Sequence, residues 1–126
     1  MPLTSKAAGA AALLVKLPVK PKVTELPAAI DALPAVVAQV GGRATVMMDS
    51  GIRSGTDVVR ACALGAAAAF AGKAFLWGLS ALGEEGPAHV IALLLEETQS
   101  ALAQLGTHGL DEARSLLIRH RTALHF

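Results

Sequence analysis

Aromatic residues, cysteine and excess charge are all scarce in this sequence, and each shortage argues against a class of function. Only 3% of the 126 residues are aromatic and none is tyrosine, so the stacking platforms of single-strand nucleic-acid binders are absent. The net charge of +1 gives no electrostatic reason to bind nucleic acid or an anionic membrane. The single cysteine, Cys62, permits no internal disulfide and fits a reducing compartment. We therefore expect a cytoplasmic protein that does not bind nucleic acid.

Long uncharged apolar runs are also missing, although the chain as a whole is apolar. No stretch of about 18 uncharged apolar residues occurs, so we expect no transmembrane segment. Hydrophobic residues nevertheless make up 53% of the chain, and the mean hydropathy is +0.52. The ordinary apolar share is ~45–50%. This composition predicts that the chain is part of a larger protein.

Acidic residues are absent from the first 24 positions, which carry four lysines and a short apolar run. A basic start before an apolar run resembles a secretory signal, but the Ala-x-Ala cleavage pattern does not follow. Residues 16–21 read Lys-Leu-Pro-Val-Lys-Pro instead. We expect residues 1–24 to be a poorly ordered or non-homologous leader, residues 25–121 to be the folded unit, and residues 122–126 to be a tail.

Hydrophobic periodicity and turn residues predict alternating helices and strands. Apolar spacing and a terminal Gly-Gly predict a first helix, with Pro34 kinking or dividing it. Two short apolar runs between helical patterns predict strands, although the alanine-rich second run also allows helix on propensity. The predicted order is helix 27–40, strand 44–48, helix 56–64, strand 66–71, a helical turn 73–79, a loop 83–87, helix 88–105 and helix 109–120. This alternation predicts an α/β fold with a parallel sheet, and two strands alone would be marginally stable.

The residues between the first predicted strand and the second predicted helix form the most informative stretch. From Val46 to Asp57, an apolar run gives way to a turn rich in Gly and Ser and then to a helix, with Ser54 or Thr56 as its N-cap. Backbone amides and a helix N-terminus at one point attract phosphate. Arg53 adds a planar fork of donors that suits phosphate oxygens. The stretch therefore predicts an anion site.

Five short blocks of this sequence resemble one protein family. They read Asp-Ser-Gly-Ile-Arg-Ser-Gly-Thr-Asp-Val-Val at 49–59, Ala-Leu-Gly-Ala at 63–66, Phe-Leu-Trp-Gly-Leu at 75–79, Gly-Glu-Glu-Gly at 83–86 and Ala-Ile-Asp-Ala-Leu-Pro at 29–34. Together they resemble the C-terminal quarter of the FMN-dependent α-hydroxy-acid oxidases and dehydrogenases, which include glycolate oxidase, lactate oxidase, L-lactate dehydrogenase and mandelate dehydrogenase. The resemblance implies a partial TIM (β/α)8 barrel, namely its last two βα units plus the C-terminal helices, with FMN as cofactor.

The resemblance also implies which residues hold the cofactor, because loops after the seventh and eighth strands bind phosphate in such barrels. Lys73 stands where the family has an arginine, so its phosphate contact should be less directional. Ser50 replaces a frequent glycine, which is the milder departure. By this resemblance the residues that bind FMN are Asp49, Ser50, Gly51, Ile52, Arg53, Gly72 and Lys73.

The family's catalytic residues have no counterpart in this sequence. The resemblance implies oxidation of a small 2-hydroxy acid to a 2-oxo acid, with a histidine removing the proton and arginines holding the carboxylate. The family's Ser-Asn-His-Gly-Gly-Arg motif would fall at residues 17–22, which read Leu-Pro-Val-Lys-Pro-Lys. We therefore expect this chain by itself to be inactive, with no catalytic residue. The alternatives are a non-catalytic module that binds FMN or phosphate, and a fragment that associates with itself or with a complementary barrel fragment.

The remaining chemically active side chains favour structural roles. We expect Cys62 to be an inert core thiol and Trp77 to pack rather than to stack on a cofactor. The acidic pairs at 84–85 and 96–97 are expected to form solvated faces. The histidines lie away from the family's catalytic position and lack the spacing of metal ligands, so we expect no metal site. These histidines are His89, His108, His120 and His125.

Overall fold

Five α-helices, one 3-10 helix and two strands make up residues 28–116, the part of the chain that the computed structural model describes. The order confirms the predicted alternation of helices and strands, and the alanine-rich run is strand rather than helix. The expected leader, the tail and both ends of the expected folded unit lie outside the described residues. The elements are α1 (Ala29–Val40), β1 (Met47–Asp49), α2 (Gly55–Ala63), β2 (Ala68–Phe70), α3 (Lys73–Leu82), the 3-10 helix (Gly83–Glu85), α4 (Gly86–Gln104) and α5 (Leu110–Ala113).

Helix α1 is continuous, so of the two predicted effects of Pro34, kinking or dividing the helix, the division is wrong. A proline removes one backbone donor from a helix interior, and the other hydrogen bonds of this 12-residue helix hold it together. The helix ends where the sequence predicted. Gly41 has a φ of 54° and its N–H donates to the Val37 carbonyl at 3.0 Å, which is the ordinary glycine C-cap.

The segment predicted as a loop at 83–87 is helical instead. The 3-10 helix follows α3 directly and α4 begins at Gly86, with Pro87 in its first turn. A proline is tolerated there because the first amides of a helix have no intrahelical acceptor. Helix α3 extends to Leu82, three residues beyond the predicted turn. The last predicted helix covers only α5 among described residues. Across residues 28–116, the helices are too short or too polar for any of them to traverse a lipid bilayer.

The two strands pair in parallel, as the sequence predicted, but each is only three residues long. Met47 lies opposite Ala68 and Asp49 lies opposite Phe70. Because the pairing is parallel and the strands are neighbours, their carboxyl ends lie at one edge of the sheet. The loop after β1 and the start of α3 therefore emerge side by side.

Two apolar clusters hold the helices against each other and against the sheet. The first joins α1, β1 and α2 through buried side chains that include Leu33 and Met48. The second joins α2, α4 and α5 through Val59, Leu102 and Ala113. Helix α2 takes part in both clusters, so its position fixes the loop that precedes it.

Candidate functional site

The loop after β1 contains two consecutive residues with positive φ. Ser50 has a φ of 85° and Gly51 a φ of 81°. The N–H of Ser50 donates to Asp49 Oδ1 at 2.8 Å, which helps to hold the turn. A non-glycine residue in the left-handed region costs about 1–2 kcal/mol. The serine that replaces the family's glycine therefore has a conformational cost, and the substitution is less mild than the sequence comparison indicated.

Ile52 anchors this loop in the protein interior. Its side chain is only 4% exposed and belongs to the same apolar cluster as Leu33 and Met48. Of the residues predicted to bind FMN, Ile52 can therefore offer a ligand only its backbone, whereas the side chains of Asp49 and Arg53 are exposed.

The amides at the start of α2 are already bonded to carboxylates of the chain. Asp57 Oδ2 accepts the N–H groups of Arg53 and Ser54, each at 3.1 Å, and Ser54 Oγ in turn accepts the N–H of Asp57 at 3.2 Å. This is a complete capping box, so Ser54 and not Thr56 is the N-cap. The helix start that the sequence marked as an anion site is thus partly bonded from within the chain, and anion binding there stays a prediction.

Glu97 on α4 accepts a hydrogen bond from the next backbone amide of α2, that of Gly55. Its Oε2 accepts the N–H of Gly55 at 2.7 Å, and Thr98 Oγ1 lies 3.5 Å from the Gly55 carbonyl oxygen. Glu97 is exposed, as expected for a solvated face, and one of its carboxylate oxygens nevertheless bonds to the start of α2. No local pattern could have found this contact, because the two residues are 42 positions apart.

The start of α3 differs from that of α2 because no side chain caps it. Gly72 is its N-cap residue, makes no side-chain cap bond, and has open space where a Cβ would stand. Lys73 is exposed at the first position of the helix. Free amides and the positive end of the helix dipole favour an anion at such a point.

Arg53 reaches from the loop after β1 to α3. Its guanidinium carbon lies 5.4 Å from the centre of the Trp77 ring, one helical turn beyond Lys73. Trp77 is 55% exposed, so it packs against a cation at the surface rather than in the core. The two ion pairs found among residues 28–116 lie at α2 and at the end of α5. Hence no carboxylate in that part of the chain pairs with Arg53 or Lys73.

The predicted site residues consequently come together in two groups at one sheet edge. Asp49 to Arg53 form the first group and Gly72 with Lys73 form the second. Arg53 and Lys73 have no acidic partner among residues 28–116, and with the free amides at the start of α3 they are groups of the kind that bind a doubly charged phosphate. The residues present therefore fit the phosphate of FMN, and the most favourable point is the start of α3 rather than that of α2.

The other reactive side chains of the described chain do not assemble a second site. His89 is exposed and lines a groove of about 420 Å³ with Arg53 and Trp77, and His120 and His125 lie outside the described residues. Among residues 28–116 no three His, Cys, Asp or Glu side chains converge as metal ligands would. Burial raises the pKa of the Cys62 thiol, which agrees with the predicted inert core thiol.

Comparisons with known proteins show similarity to one family. A family profile described as FMN-dependent dehydrogenase matches residues 22–120. An L-lactate oxidase from Nostoc is 47% identical over 85 residues, covering 68% of this chain and 23% of the relative. Human 2-hydroxyacid oxidase 1 is 43% identical over 94 residues, covering 75% and 25%. A pre-mycofactocin synthase from Mycobacterium tuberculosis is 49% identical over 94 residues, covering 72% and 24%.

Solved structures show the same similarity in three dimensions. A mandelate oxidase variant solved with a monooxide FMN adduct superposes with a TM-score of 0.68 at 40% identity, covering 71% of this chain and 29% of that one. Mandelate oxidase solved with benzoyl-formic acid gives the same TM-score and identity, covering 71% and 27%. The chain thus spans about a quarter of the length of the curated relatives it matches.

Proposed function

Since the chain belongs to the family of FMN-dependent dehydrogenases, whose α/β architecture it shares as part of a TIM barrel, we propose that its two loops at the sheet edge hold the phosphate and ribityl chain of FMN. The observation that carries the proposal is the uncapped start of α3 at Lys73, together with Arg53 on Trp77 one turn further along the same helix; neither cation has an acidic partner among residues 28–116. A phosphate would satisfy the free amides and both cations at once.

Each residue has a distinct part in this proposal. Arg53 supplies the planar fork that binds two phosphate oxygens, while Lys73 supplies a point charge and Gly72 lets the phosphate approach the backbone. Gly51, Ser50 and the backbone of Ile52 shape the loop, and the exposed carboxylate of Asp49 can accept hydrogen bonds from ribityl hydroxyls. Bound FMN would supply the acceptor for a hydride equivalent.

For the whole protein we propose oxidation of a small 2-hydroxy acid to a 2-oxo acid in the cytoplasm. The support is the similarity to relatives named L-lactate oxidase and 2-hydroxyacid oxidase, together with a single cysteine that fits a reducing compartment. The residues that would take up the substrate proton are not among those present, because the chain has no tyrosine and its first histidine is His89. We therefore propose that this chain alone binds FMN without turnover.

Titration of FMN with the purified chain, followed by quenching of flavin fluorescence, tests the phosphate site. We expect riboflavin, which lacks the phosphate, to bind much more weakly than FMN. Arg53→Ala should weaken FMN binding roughly 10- to 150-fold, as expected for a charged hydrogen-bonding group worth ~1.5–3 kcal/mol. Lys73→Arg should tighten binding because it restores a bidentate fork.

Arg114→Ala is the matched control, because Arg114 is also exposed but pairs with Asp111 on α5. It should leave FMN affinity unchanged. Equal affinity for FMN and riboflavin, or equal effects of Arg53→Ala and Arg114→Ala, would refute the phosphate site. Oxidation of L-lactate or glycolate by the purified chain loaded with FMN would refute the proposed lack of turnover.

Self-association is a second candidate function, alone or combined with the first. The observation that favours it is the exposure of large apolar side chains on both strands and on α3, namely 42% for Met47, 54% for Phe70 and 62% for Leu76. Such exposure is typical of surfaces that another chain covers. Sedimentation velocity should show a dimer or larger species, or a complex with a complementary barrel fragment when one is added. A monodisperse monomer in both experiments would exclude this candidate.

A further inference from the structure

The two halves of the proposed phosphate site lie on different elements, and a side-chain contact connects them. Arg53 leaves the loop after β1, whereas Gly72 and Lys73 begin α3. The contact is the one between the Arg53 guanidinium and the Trp77 ring, at 5.4 Å. We propose that Trp77 is a positioning residue, which holds Arg53 so that both halves of the site address the same phosphate. This inference rests on the proposed phosphate site.

The geometry of a guanidinium makes such a role compatible with phosphate binding. A cation–π contact uses the flat face of the guanidinium, whereas its five N–H donors lie in the plane. Arg53 can therefore rest on the Trp77 ring and still present a two-pronged edge to phosphate oxygens. A free arginine side chain would have to be ordered when the ligand binds, and a side chain already held on a ring loses less freedom.

Among residues 28–116, no carboxylate lies within ion-pair distance of the Arg53 guanidinium. Glu97 lines the same groove as Arg53 and Trp77, but its Oε2 accepts the N–H of Gly55 at 2.7 Å. His89, also in that groove, is exposed. The backbone N–H of Arg53 is bonded to Asp57, so the start of the side chain is fixed while its far end depends on the ring.

A purely structural role for Trp77 makes a different prediction. With its side chain 55% exposed, Trp77 contributes less to the core than a buried tryptophan would. If it served only stability, its removal would affect FMN binding whether or not Arg53 were present. If Trp77 acts through Arg53, removal of the Trp77 ring should weaken FMN binding only in a chain that contains Arg53. A double-mutant cycle separates the two cases.

The experiment measures FMN affinity by flavin fluorescence for the full chain, for Trp77→Leu, for Arg53→Ala and for the double variant. Trp77→Leu should weaken FMN binding roughly 2- to 5-fold, which is the range that a cation–π contact of ~0.5–1 kcal/mol at an exposed site allows, and Trp77→Phe should weaken it less. In the Arg53→Ala background, Trp77→Leu should have no further effect. Leu76→Ala, which alters an exposed neighbour on α3, is the control and should bind FMN normally.

The chemical shift of the Arg53 Nε–H group gives an independent readout. A ring stacked on the guanidinium moves this resonance away from the position of a free arginine. In Trp77→Phe the displacement from that position should be smaller than in the wild type, and in Trp77→Leu it should vanish. Both results should hold before and after addition of inorganic phosphate. If Trp77→Leu does not fold, Trp77→Phe still provides both readouts. Equal losses of affinity with and without Arg53, or an Nε–H resonance that Trp77→Phe and Trp77→Leu leave unmoved, would overturn the inference. If Arg53→Ala itself leaves FMN affinity unchanged, the phosphate site fails instead.

Discussion

Replacement of Gly55 by alanine tests whether the crossing of α2 and α4 fixes the loop that carries Arg53. A Cβ at position 55 would lie 2.6 Å from the Cβ and from the carbonyl carbon of Glu97, and closer still to the backbone N of Thr98. These neighbours include helix backbone, so they cannot move aside as the end of a flexible side chain could. The two helices must separate, and the bond between the Gly55 N–H and Glu97 must lengthen or break.

The expected cost follows from three contributions. Overpacking costs about 1–3 kcal/mol, and loss of a hydrogen bond to a charged acceptor costs about 1.5–3 kcal/mol. Alanine recovers about 1 kcal/mol relative to glycine through its helix propensity. The net loss for Gly55→Ala is thus about 1.5–5 kcal/mol, which at ~4–8 °C per kcal/mol for a domain of this size lowers the melting temperature by roughly 6–40 °C.

Thermal and urea unfolding of the full chain, followed by circular dichroism, measure this loss. Thr56→Ala is the matched control, because Thr56 is the next residue of the same helix and is exposed. Its stability should change by no more than about 0.5 kcal/mol. If Gly55→Ala unfolds at the same temperature and urea concentration as Thr56→Ala, the close helix crossing is not what holds this part of the chain.

Three further changes probe the loop, the helix cap and the buried thiol. Ser50→Gly should stabilise the chain by up to about 1 kcal/mol because it relieves a left-handed φ, whereas Gly51→Ala should destabilise it by about 1–2 kcal/mol, both by urea unfolding. Glu97→Ala should cost about 1.5–3 kcal/mol because it leaves an amide of α2 without its acceptor; Glu97→Gln should recover part of this, and Glu96→Ala should be neutral. Cys62 has a pKa raised by burial, so its neutral thiol is favoured in the folded state. The neutral thiol's contribution to folding stability is complete below the ordinary thiol pKa of about 8.5 and is lost as the pH rises through and above it. In urea unfolding at alkaline pH, the wild type should therefore lose stability relative to Cys62→Ala.

Each of these expectations has an outcome that contradicts it. Destabilisation by Ser50→Gly would mean that the serine side chain supplies a contact worth more than the strain it incurs. If the Glu97→Ala and Glu96→Ala variants are equally stable, the hydrogen bond from the Gly55 N–H to Glu97 does not stabilise the start of α2. A parallel pH dependence of the wild type and Cys62→Ala would show that the thiol is solvated.

The folding pattern illustrates why some features were predictable and others were not. The strand–turn–helix unit around Ser54 depends on residues within a few positions, namely the capping pair Ser54 and Asp57 and the glycine turn before them. The bounds of the strands were less predictable, because two strands of three residues depend on which neighbour they pair with. The segment at 83–87 was mistaken for a loop because two glycines and a proline also fit the first turn of a helix.

The sequence by itself determined the parallel α/β order, because that order follows from local periodicity. It also determined the family and the two short blocks that are proposed to form the site, because five blocks of the sequence resemble that family. Only the tertiary structure decided which helix start is free to take an anion. Asp57 and Glu97 occupy the amides of α2, and the start of α3 has no side-chain cap. Hydrogen bonds and cation–π contacts between residues 24 or 42 positions apart depend on how helices cross. Helix crossings are set by packing across the whole domain, so no local sequence pattern predicts them.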